Sequence, residues 1–92
     1  MKTVDILRKA KAIYKSGYYI GMCTCIRHAF DEEISLCDFD IWIKTNVPLF
    51  SPIIAKEKFG ATKDIGYWWY EWDEYSRLEY FDWLIEHYSK KD

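Results

Sequence analysis

Cys23, Cys25, His28 and Cys37 fall at the spacing C-x-C-x2-H-x8-C, residue types that hold zinc in small proteins. Helical geometry weakens this reading, because residues two apart on a helix point about 200° apart. Cys23 and Cys25 could share a metal only if a helix began after them, and Cys25 with His28 is the one pair on a common face. That pair could also supply a thiol nucleophile and its base, but nothing marks an oxyanion donor, and Cys25 lies on an apolar stripe. Buried reduced thiols are the expectation, with no metal, no cofactor and no catalytic residue. Glu79, Asp82 and Glu86 stack at i, i+3 and i+7, a spacing suited to acid–base work or a hard cation. Such a stripe is more often a solvated face, or here a dock for basic residues elsewhere in the chain.

The run 66–75, GYWWYEWDEY, holds six aromatic and three acidic residues. Adjacent rings cannot all face one core, so in a loop some of Tyr67, Trp68, Trp69, Tyr70 and Trp72 must reach the surface. Exposed tryptophans stack on bases or anchor a protein partner. Arg77 follows on the face that Leu78, Phe81, Leu84, Ile85 and Tyr88 make apolar, and a charge aimed at a core is rarely left unpaired. Two partners fit it. Asp73 stands four residues earlier in the favourable order for an ion pair, while a phosphate or carboxylate ligand would match the planar guanidinium fork. On the second reading Tyr67, Trp68, Trp69 and Trp72 stack on a nucleotide-like ligand, and Arg77 with Arg27 and Lys15 holds its phosphate. A protein partner suits the same rings almost equally well. Long nucleic acid does not, because the aromatic segment is acidic and would repel a phosphate backbone.

These side chains must be positioned by a chain of 92 residues, enough for one domain spanning 1–92. A domain this small buries a modest fraction of its surface, so an aromatic content of 20% is also what a short chain needs to build a core. The net charge of −2 hides an asymmetry. Residues 1–30 carry Lys2, Arg8, Lys9, Lys11, Lys15 and Arg27 against Asp5, a balance of +5, and the remainder carries −7. The two parts can pack on each other, or leave one face attractive to an anion. No apolar window is long enough for a membrane span, and the start of the chain lacks the pattern of an export signal. A cytosolic protein with reduced cysteines is expected.

The periodicity predicts an all-α domain of four to five short helices. Ile6, Ala10, Ile13 and Tyr14 line one face of a first helix over 3–16, opposite Arg8, Lys11 and Lys15, with Thr3 able to cap its start and Gly17 its end. Met22, Cys25, Ile26, Ala29 and Phe30 repeat as a second helix, closed by Asp31, Glu32 and Glu33. Residues 34–44 are ambiguous. Phe39, Ile41 and Ile43 alternate like a strand, whereas Ile34, Cys37, Ile41 and Trp42 make a helical stripe. Helix is favoured because no partner strand is evident. Ser51 and Pro52 open a short helix that Gly60 stops, and a last helix runs from near Asp73 to about Ser89.

GMCTCI after a basic amphipathic helix, then GYWW and RLEYFDWLI, resembles small accessory proteins encoded by tailed phages and their prophages. The resemblance implies a host-directed protein that binds and neutralises a host factor, including antiviral defence proteins or the nucleotide signals that activate them. It brings no catalytic residues. A non-enzymatic binder of a nucleotide-like ligand is the leading expectation, with a protein–protein inhibitor using the same aromatic surface as the alternative. Aromatic surfaces in small proteins also close symmetric dimers, so a homo-oligomer is a further use for these rings.

Overall fold

The computed structural model describes residues 2–19, 21–59 and 72–90. The described residues form five helices and no strand: α1 Thr3–Ser16, α2 Met22–His28, α3 Leu36–Asn46, α4 Pro52–Phe59 and α5 Glu74–Ser89. Their local signals mostly match the sequence. Gly17 ends α1 in the left-handed region at φ 84°, where a residue with a Cβ would be strained. Ser51 Oγ accepts from the backbone N–H of Ile53 at 3.1 Å and of Ile54 at 3.5 Å, capping α4 ahead of Pro52. Asp73 Oδ1 accepts from Ser76 N at 2.7 Å and caps α5. Gly60 lies outside the described residues.

One local expectation is corrected and two are refined. Thr3 is not the cap of α1: Lys2 holds that position in extended conformation, without a side-chain cap. Burying Val4, Ile6 and Leu7 draws the helix start one residue earlier, and packing outweighs a hydroxyl cap worth about 1 kcal/mol. In 34–44 the favoured helix is present and the strand alternative is not, but the helix begins only at Leu36. Ser35 Oγ caps α3 by accepting from Asp38 N at 3.1 Å, so Ile34 precedes the helix. The face of α3 that packs carries Phe39 and Ile43, with Trp42 half-buried, while Cys37 and Ile41 point to solvent. On α5 Phe81, Leu84 and Tyr88 are buried as expected, with Leu78 and Ile85 half-buried against the same core, and the stripe is widened by Tyr80, which is fully buried.

α1 is the central helix, packed against both α2 and α5, and α4 leans on α5. Tyr14 meets Phe81 at a ring separation of 5.7 Å, and Lys11 meets Asp82. Successive α1 residues thus meet α5 in reverse order, so the two helices run antiparallel. The core joins Leu7, Ala10, Cys25, Ile26, Tyr80, Phe81 and Leu84, each fully buried, with Val47 and Ala55 from the other elements. The Cα radius of gyration is 12.5 Å, close to the roughly 12 Å of a compact chain of this length.

The α3–α4 connection is tied down by two tyrosines of α5. Tyr80 Oη donates to Leu49 O at 2.6 Å and accepts from Ser51 N at 3.2 Å, while Tyr88 Oη accepts from Leu49 N at 3.2 Å. Pro48 and Pro52 bring no N–H to this stretch, and it makes no ladder of its own beyond the turn from Phe50 N to Val47 O. Tyr80→Phe strands one carbonyl and one amide, and should cost about 1–3 kcal/mol in urea unfolding; an unchanged midpoint would show the hydroxyl to be dispensable.

Burial pushes the ionisation of both phenols to higher pH, against the smaller opposite effect of their backbone partners at Ser51 and Leu49, and Tyr88 adds to the rise at Tyr80. Their contribution to stability is whole below about pH 10, where an unfolded tyrosine ionises, and is lost as pH rises through that value towards the folded ones. Urea midpoints taken from neutral to alkaline pH should hold level and then fall above about pH 10, with a shallower fall in Tyr80→Phe.

Candidate functional site

The antiparallel packing of α1 on α5 brings the end of one helix to the start of the other. There the Arg77 guanidinium, half-buried, donates from Nη1 to Tyr14 Oη at 3.5 Å. Arg77 lies on the line of the buried face set by Phe81 and Leu84, as the wheel indicates, which directs its side chain over the α1 seam. Its charge is also felt by Asp73. That carboxyl sits below its ordinary range first because Ser76 donates to it from backbone and side chain, and then because of Arg77. Asp73 therefore serves α5 as a cap while Arg77 reaches across to α1.

Trp72 stands just ahead of that cap and packs edge-on against Tyr80, with centroids 5.8 Å apart and planes at 70°. Lys15 follows Tyr14 on α1 and is exposed. Arg8, Lys9 and Lys11 each reach a carboxylate, Asp5 at 3.8 Å, Asp31 at 2.9 Å and Asp82 at 2.5 Å, whereas Lys15 meets none among the described residues. Tyr75 is 76% exposed, and Tyr18, just after Gly17 ends α1, is 85% exposed. Arg77 thus meets Tyr14 where α1 ends and α5 begins, with Lys15, Tyr18, Trp72 and Tyr75 close by in sequence to one or the other. Tyr67, Trp68 and Trp69 lie outside the described residues. Arg27 is placed elsewhere, in the wall of a cavity of about 320 Å³ behind α2.

The other constellations come apart. α2 begins at Met22, ahead of both cysteines, so Cys25 is buried while Cys23 is exposed. Cys25 Sγ donates to Tyr19 O at 3.5 Å, and burial pushes its thiol up to about 11. His28 turns outward and stacks flat on Tyr19, with centroids 4.5 Å apart. Among the described residues no group of three or more His, Cys, Asp or Glu is arranged to hold a metal ion. In the acidic stripe Asp82 binds Lys11 across the helix seam and Glu86 meets Lys90 at 3.6 Å, so part of the stripe is a dock for α1. Sequence reasoning missed Tyr14 as the partner of Arg77. The signal was present, since a tyrosine on an apolar stripe brings a hydroxyl that needs a partner.

No protein-family model, curated protein or solved structure matches this chain. Among the described residues no helix is long and apolar enough to cross a membrane.

The cysteines give a direct readout of this arrangement. Cys37 is exposed, and Cys23 is exposed as a residue although burial of its sulfur and then the Asp40 carboxylate raise its thiol. Alkylation of the native protein followed by mass spectrometry should label Cys37 first, Cys23 more slowly and Cys25 only on unfolding. Equal labelling of all three would contradict the packing of α2.

Proposed function

We propose that this chain is a non-enzymatic binding protein that captures a small nucleotide-like anion where α1 ends and α5 begins. The observation that supports this reading is the half-buried Arg77 guanidinium, steadied by Tyr14 Oη where α1 ends, next in sequence to exposed Lys15, and α5 begins, just after half-buried Trp72. Arg77 offers a planar donor fork to a phosphate and Lys15 adds a second positive charge. Trp72, with Tyr67, Trp68 and Trp69 from the segment preceding it, supplies rings for a base, each stack contributing about 1–3 kcal/mol. Arg27 lines its own cavity and is not needed for this site. The resemblance to tailed-phage accessory proteins gives the biological setting, removal of a nucleotide signal that activates a host antiviral defence.

The high exposure of Tyr18 and Tyr75 favours a second reading, in which the same end docks on a host protein. Titration calorimetry against linear and cyclic nucleotides separates the two. Binding by the wild type, weakened about 10-fold or more by Arg77→Met and restored in part by Arg77→Lys, is the expected result. Circular dichroism of each variant checks that the helices persist. Absence of heat with every nucleotide overturns the nucleotide reading. A host protein held by the wild type and released by Tyr75→Ala and Trp69→Ala would then establish the other.

A further inference from the structure

Behind α2 the chain turns through residues 29–35 and borders a hollow of about 320 Å³, half open to solvent, at the small end of the roughly 300–1,000 Å³ of ligand pockets. Its walls carry charges of both signs that do not close on each other. Arg27 is half-buried and forms no hydrogen bond or ion pair through its side chain among the described residues, and the same holds for Glu32 and Glu33. The third carboxylate, Asp31, is engaged by Lys9 at 2.9 Å. A half-buried guanidinium sharing a cavity with two glutamates would ordinarily pair with one of them, so their separation leaves room for something between.

The apolar part of the wall is fixed. Phe30 meets Trp42 and Phe39 edge-on, at ring separations of 4.9 and 6.3 Å, which seats its ring on α3, and Ile34 stands half-buried beside it. The His28 ring is held on Tyr19 at the rim. A polyphosphate does not suit this lining, because the carboxylates would repel it.

We propose that this cavity binds an apolar α-amino acid as its zwitterion. Arg27 receives the carboxylate, Glu32 and Glu33 receive the ammonium group, and the side chain rests on Phe30 and Ile34. Each charged end then gains charge-assisted hydrogen bonds, Arg27 facing the carboxylate and the two glutamates sharing the ammonium. This site is independent of the α1–α5 end and does not rest on the nucleotide reading.

The test is a residue-resolved NMR titration of the intact protein with L-leucine, L-methionine and L-phenylalanine, and with the N-acetyl and methyl ester forms of whichever binds. Shifts confined to residues around 27–34, with each blocked form at least about 10-fold weaker, are expected. The double variant Glu32→Gln, Glu33→Gln, confined to exposed positions, should lose the preference for the free amine, and Arg27→Met the preference for the free carboxylate. No shift with any of the three amino acids, shifts located elsewhere, or a blocked form binding as tightly as the zwitterion would each overturn the proposal.

Discussion

The grip of Tyr80 and Tyr88 on the backbone of Leu49 and Ser51 is the constraint around which the helices are arranged. The α3–α4 connection is rich in proline and short of internal hydrogen bonds, so its amides and carbonyl must find partners elsewhere or remain in water. Two phenol hydroxyls one side of α5 supply them from inside the core. That choice fixes which face of α5 turns inward, and Phe81 and Leu84 follow on the same side. With those rings in place, α1 has an apolar surface to lie against, and its own Tyr14 is brought to Arg77.

α1 links this core to the charge pattern of the chain. Its apolar face is shared between α2 and α5, so its cations emerge along the two flanks, close to acidic residues on either neighbour. Lys9 reaches Asp31 beyond α2 and Lys11 reaches Asp82 on α5. Exposed pairs of this kind contribute only about 0–1 kcal/mol each, so they select an orientation more than they supply stability. The basic start and the acidic remainder of the chain thus do pack on each other. Lys15, beyond the last of these contacts, leaves a positive charge at one end of the bundle.

Helix existence and helix ends were legible because their causes are local. Gly17, the Ser51 and Pro52 pair and Asp73 act within one turn of themselves. The inward faces of α3 and α5 were less so. In 34–44 the apolar residues fit two periods, and the surplus of large side chains left Ile41 and Phe39 equally eligible; contact with Phe30, nine residues before Phe39, decides between them. On α5 the missing piece was Tyr80, whose burial depends on a backbone partner some thirty residues away. Arg77 was marked by the sequence as needing a partner, but Tyr14 is separated from it by most of the chain. Pairings across such distances are set by the way helices stack, which no local spacing encodes.

The residue types that suggested chemistry end in three different surroundings, and the helix geometry explains the division. Two cysteines on adjacent sides of α2 face opposite media, so burial withdraws one thiol from reaction while the other stays at the surface. Carboxylates on the outer side of α5 meet lysines. Arg27 and Arg77 are half-buried for a common reason: a long apolar stem can lie along a helix seam while the planar head reaches a polar edge. At Arg77 that edge is the Tyr14 hydroxyl, and at Arg27 it is a cavity. Two half-buried guanidinium groups thus stand in separate settings, one beside the Tyr14 hydroxyl and one among carboxylates, and the field around each differs accordingly.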